Sequence, residues 1–87
     1  MYTLCLPKID SATTKKQLFN VFNKYNFGLI IKIDLINISN NKRAFIHYKK
    51  WNNNEKNNKI KSYLDDGLDI KIIYEFPWFW KCSKSRS

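Results

Sequence analysis

A run of isoleucines in the middle of the chain, Leu29 to Ile38, is too β-branched to favour helix and reads as a strand. Ser39-Asn40-Asn41 supplies a turn after it, and Lys42 to Tyr48 alternates as the returning strand of a hairpin. Upstream, Tyr2 to Ile9 alternates with Leu4 and Leu6 on one face and Thr3 and Cys5 on the other, until Pro7 and Asp10-Ser11 end it. Thr14 followed by Gln17 matches a capping box. Leu18, Val21, Phe22 and Tyr25 then recur at helical spacing, with Asn26 and Gly28 as the stop.

The segment after Trp51 is rich in asparagine and has the look of low complexity. Yet Ile60, Tyr63 and Leu64 make a short helical stripe, Glu55 precedes Lys59 by one turn, and Gly67 follows as a cap, so a second helix is expected. Asp69 to Phe76 alternates as the last strand. The order strand, helix, strand, strand, helix, strand packs as one four-stranded antiparallel sheet with two helices on one face, an α+β architecture of ferredoxin-like type. Leu4, Leu6, Leu18, Val21, Phe22, Ile46, Tyr48, Ile60, Leu64, Ile70 and Ile72 are its expected core. The domain is expected over residues 1–76, with residues 77–87 an aromatic and then basic tail.

Sixteen basic residues against seven acidic give a net charge of +9, which in a chain of 87 residues favours a polyanionic partner. The abundance of lysine, asparagine and isoleucine is also what an AT-rich coding sequence produces, so the distribution carries more weight than the total. Seven basic residues lie between Lys42 and Lys61 against the single acid Glu55, and Lys81, Lys84 and Arg86 follow Trp80 with no acid, while Asp65, Asp66 and Asp69 cluster apart. Cys5 and Cys82 form no CxxC pair and His47 is the one histidine, so no metal site is expected, and a reducing intracellular compartment is the simplest reading. No apolar run is long enough to span a bilayer, so no membrane partner is expected.

His47 has no carboxylate or cysteine partner at a recognisable spacing. It is read as a sheet-face histidine that hydrogen-bonds a base or a neighbouring side chain. Paired carboxylates, glycine-rich phosphate loops and nucleophile motifs do not occur in the sequence, so neither an enzyme nor a cofactor is expected. Trp51 is read as a staple on the start of the second helix.

With this element order, Asn41-Lys42-Arg43-Ala44-Phe45-Ile46-His47-Tyr48 resembles the third strand of the RNA recognition motif, whose pattern is K/R-G-F/Y-G/A-F-V-x-F/Y. Ala44, Phe45, Ile46 and Tyr48 agree with it, and the first three positions do not. The family's first-strand motif would fall on Leu4 to Ile9, with Cys5 where an aromatic usually stands. Ala44 to Tyr48 with Trp51, and the ending Trp78-Phe79-Trp80-Lys81, also resemble small proteins of this fold encoded by large DNA viruses, which would place the chain in the cytoplasm or a viral factory.

The resemblance implies single-stranded RNA, or another nucleic acid, on the open sheet face. Alternation turns Arg43, Phe45 and His47 to that face and Ala44, Ile46 and Tyr48 to the core. Phe45 is expected to stack on a base, Arg43 to stack or pair a phosphate, and Lys42, Lys49, Lys71 and the tail cations to neutralise phosphates. Ile30, Lys32, Asp34 and Ile36 on the second strand and Lys71, Ile73 and Glu75 on the fourth are assigned to the same face. Cys5, Phe45 and Ile73 would then form an apolar band, which Trp78, Phe79 or Trp80 covers as a lid, or which meets a partner within a larger protein complex.

Overall fold

The computed structural model describes residues 1–86. Its elements are β1 (Tyr2–Asp10), α1 (Lys15–Tyr25), β2 (Gly28–Ile38), β3 (Asn41–Trp51), α2 (Glu55–Asp65), β4 (Ile70–Glu75) and β5 (Trp78–Lys84). The expected four-stranded ferredoxin-like sheet is overturned by the seventh element. The sheet has five antiparallel strands in the order β2-β3-β1-β5-β4. Residues read as a tail form β5, which enters between β1 and β4 and leaves β4 at the edge. Ser87 lies outside the described residues.

The reason is visible in the side chains of β5. Trp80 and Cys82 alternate with Lys81 and Ser83, the period of a strand with one buried face, and both Trp80 and Cys82 are buried. Trp80 pairs with Ile72 across the ladder and stacks on Tyr74 at 4.4 Å and on Phe22 of α1 at 6.3 Å. Trp80 is therefore a core residue on the helix side, not a lid on the open face. The strand completes the core of Leu4, Leu6, Leu18, Phe22, Ile46, Tyr48, Leu64 and Ile72, with Val21, Ile60 and Ile70 packed partly buried around it.

Local chemistry fixes the helix ends. Thr14 Oγ1 accepts from the Gln17 N–H at 3.2 Å, and Asn26, at φ 55°, closes α1 in the left-handed conformation. Gly28 is not part of that cap. It opens β2 where a Cβ would overlap the Lys50 carbonyl oxygen. The asparagine-rich segment is a set of caps: Asn54 Oδ1 accepts from the Asn57 N–H at 2.8 Å, and buried Asn57 donates to the Asn26 carbonyl at 3.0 Å. Trp51 donates its indole N–H to the Asn57 carbonyl at 2.9 Å and stacks on Phe27 at 5.2 Å, so it staples the start of α2 to the end of β3.

Two opposed bulges interrupt the β2–β3 ladder. Ile30 pairs with Tyr48 and Lys32 with His47, which leaves Ile31 as the extra residue, while Lys49 has no partner between the Leu29–Lys50 and Ile30–Tyr48 pairs. Ile30 consequently shares the helix face with Tyr48 and is not on the open face.

The Tyr48 hydroxyl is buried with no hydrogen-bond partner among the described residues. Burying a hydroxyl unpaired costs about 1–3 kcal/mol. Tyr48→Phe should therefore raise the midpoint of thermal unfolding; a fall would mean that the hydroxyl has a partner in solution.

Candidate functional site

Among the described residues no helix covers the second face of the sheet. Arg43, Phe45 and His47 project there from the odd positions of β3, and the register sets Asp34 of β2 and Cys5 of β1 on either side of Phe45. Ser83 of β5 faces Cys5 on its other side. Toward the far edge, the pairs Ile73–Phe79 and Lys71–Lys81 continue the same face. Thus Arg43, Phe45, His47, Cys5, Lys71 and Ile73 stand where the alternation put them.

Two expected site residues do not. Lys42 lies in register with buried Ile9, on the helix side, and donates from Nζ to the Thr13 carbonyl at 3.1 Å. It anchors the approach to α1 and cannot join the row that contains Phe45. The aromatic tail is also divided: Trp80 is in the core, Phe79 lies on the open face with the Lys71 ammonium 4.9 Å from its ring centroid, and Trp78 is 64% exposed on the β4–β5 hairpin. The apolar band therefore has no covering tryptophan. Lys49 is exposed beside its bulge.

His47 sits in a chain of polar contacts that sequence spacing did not reveal. Its Nε2 lies 2.8 Å from Asp34 Oδ2 and its Nδ1 lies 3.0 Å from Thr3 Oγ1, and Lys32 Nζ reaches Asp34 Oδ1 at 3.4 Å. The hydrogen bond from His47, aided by Lys32, holds the Asp34 carboxyl below the usual carboxylate range. Asp34 is then an acceptor only, so Nε2 carries the proton, and in the neutral ring Nδ1 accepts from the Thr3 hydroxyl. The imidazole is oriented from both sides, one edge away from Phe45. Alternation gives the face of Asp34, but only the pairing register brings it to His47.

A lowered carboxyl contributes stability that is complete above the unfolded value, about 3.9, and is lost as the pH falls through the folded value. Asp34→Asn should flatten that acid loss in a plot of unfolding midpoint against pH. An identical acid limb in both proteins would mean that the His47 contact adds no stability.

Arg43 donates from Nε to the Pro7 carbonyl at 3.4 Å, which steadies the guanidinium on the open face. Among the described residues Arg43, Lys49 and Lys71 pair with no carboxylate, whereas Lys81 is bridged to Asp69 and Lys84 to Asp65. Unpaired positive charge is not confined to the sheet face: Lys15, Lys16 and Lys24 of α1 and Lys56, Lys59 and Lys61 of α2 bridge to no carboxylate of the described residues either. Burial pushes the Cys5 thiol up, against the pull of Arg43, so it is not a thiolate at neutral pH and offers a small apolar surface beside Phe45. No group of three or more metal-ligating side chains occurs among the described residues, and no helix among them is long and apolar enough to cross a membrane.

Compared with known proteins, the chain matches no protein-family model, no curated protein and no solved structure. The site's own geometry carries the functional reading.

Proposed function

We propose that the chain is a non-catalytic module that binds single-stranded nucleic acid, RNA in first place, across the open face of its sheet. The observation that carries this is the row Arg43, Phe45, His47 on β3: a half-buried ring between a guanidinium that bridges to no carboxylate and an oriented imidazole, on a face that neither helix covers. A ring on a flat sheet gives a base a stacking surface, Arg43 supplies a planar cation, and His47 presents a hydrogen-bonding edge. Lys71 and Lys49 are available to phosphates. The likeness of Ala44 to Tyr48 to the third strand of the RNA recognition motif supports the same reading. Cys5, which cannot stack, makes this a platform with one central ring and Phe79 as an outlying second. Both cysteines are free, which suits a reducing intracellular compartment.

Titration with single-stranded RNA of mixed sequence at two salt concentrations tests the proposal. Affinity should fall as salt rises, and Lys49→Ala should shallow that dependence by roughly one phosphate contact while weakening binding less than a change at Phe45. Absence of binding at low salt would contradict it.

One observation favours a second reading, a protein interaction module within a larger assembly. Phe76 and Trp78 are 84% and 64% exposed at the tip of the β4–β5 hairpin, where neither a base stack on β3 nor the core uses them. The RNA titration separates the two: salt-sensitive binding supports the leading proposal, and absence of binding at low salt leaves the interaction module.

A further inference from the structure

The two edges of the sheet are treated differently. On β4, six residues long, the Tyr25 hydroxyl accepts from the Ile73 N–H at 2.8 Å and approaches the Ile73 carbonyl at 3.3 Å, so the backbone of that edge is partly satisfied. On β2, eleven residues long, the outer side has no strand beside it, and Leu29, Ile31, Ile36 and Ile38 are exposed along it. Exposed Phe19 of α1 lies beside Ile31 in a shallow groove that runs along this edge. A long apolar edge is a template for another strand, which charge and bulges restrict; on β2 the bulge at Ile31 leaves Lys32 to Ile38 as the regular run.

The charges on β2 are of a kind that selects its partner. Lys32 and Asp34 flank Ile33 and are the only charged residues of the strand. Lys32 would repel a strand that placed a cation opposite it. An antiparallel copy of β2 centred on Ile33 instead brings Lys32 opposite Asp34 of the second copy, and Asp34 opposite its Lys32. Both pairs lie on the open face, where Lys32 is exposed and Asp34 half-buried. Ile33 meets itself between them.

We infer that β2 is a self-association edge, at which two copies of the chain pair antiparallel about Ile33 to form a continuous ten-stranded sheet. The symmetry is isologous, so one short segment supplies both sides of the contact. The two open faces become one surface, with the Arg43, Phe45 and His47 rows on either side of the new ladder. The inference does not depend on what that surface binds.

Sedimentation velocity of the protein without nucleic acid, over a range of concentrations, tests it. The wild type should approach twice the 10.5 kDa chain mass. Lys32→Asp and Asp34→Lys each turn both cross-strand pairs repulsive and should each weaken the dimer roughly tenfold or more. Mixed in equal amounts, the two variants restore both attractive pairs and should form a heterodimer, and the double exchange should dimerise as the wild type does. Circular dichroism of each variant shows whether the fold is kept; Lys32→Asp leaves the His47–Asp34 bond in place and so isolates the edge. A wild type that stays monomeric, that dimerises only on added RNA, or that keeps its affinity through the single reversals would overturn the proposal. So would single variants that remain monomeric when mixed.

Discussion

A chain ending at Phe76 is expected not to fold. The cut removes β5 from between β1 and β4, and with it Trp80 and Cys82 from the core, so Ile72 and Leu4 lose the strand that covers them. Trp80→Ala isolates the largest part of that loss. Truncating a buried aromatic costs about 3–5 kcal/mol. A domain of this size has a total stability of roughly 4–13 kcal/mol, and the change should lower the midpoint of unfolding by on the order of 10 to 40 °C. The face on which Trp80 lies decides the direction of every other effect. A lid would leave the domain folded when removed and would expose the open face; a central strand takes the domain with it. A truncated protein that melts cooperatively near the full-length midpoint would contradict the five-stranded sheet.

The sequence made six of the seven elements legible: alternation marks β1, β3 and β4, helical stripes mark α1 and α2, and β-branching marks β2. Even the register of β3 followed, since Ile46 is buried while Phe45 is only half-buried. β5 was hidden by the run Trp78-Phe79-Trp80, in which three aromatics in a row mask a period of two. The alternation resumes at Trp80-Lys81-Cys82-Ser83, and that was the signal to follow. The asparagines around α2 were misleading for another reason. Asn54 and Asn57 act through single hydrogen bonds to particular backbone groups, which composition cannot separate from a polar loop.

In the site, the residues of one strand could be read and the contacts between strands could not. Arg43, Phe45 and His47 share a face by alternation alone. Lys42 was assigned to phosphates on the basis of charge, although its own parity with Ala44 and Ile46 already turned it toward the helices. The bulges at Ile31 and Lys49 leave no mark in the sequence, and they move Ile30 to the core side. The Thr3–His47–Asp34 row needs three strands in register, which only the assembled sheet provides.

The second large effect concerns Phe45. Its ring is the one aromatic at the centre of the open face, between β1 and β2, with Cys5 and Asp34 as its cross-strand neighbours. Neither neighbour can substitute as a stacking surface. Phe79, on β5, lies toward the far edge and holds Lys71 over its ring. Loss of one base stack costs about 1–3 kcal/mol, a fall in affinity of roughly 5- to 150-fold. Because Phe45 is half-buried on the open face and outside the core cluster, Phe45→Ala should leave the fold intact, so the loss can be assigned to the surface.

The most direct measurement is the affinity of the wild type and of Phe45→Ala for the same single-stranded RNA, at two salt concentrations, by fluorescence anisotropy. The account predicts binding by the wild type, a loss in the range above for the variant, and the same salt dependence for both, since no phosphate contact is removed. Equal affinity of the two proteins would contradict it, leaving only diffuse attraction to a basic chain.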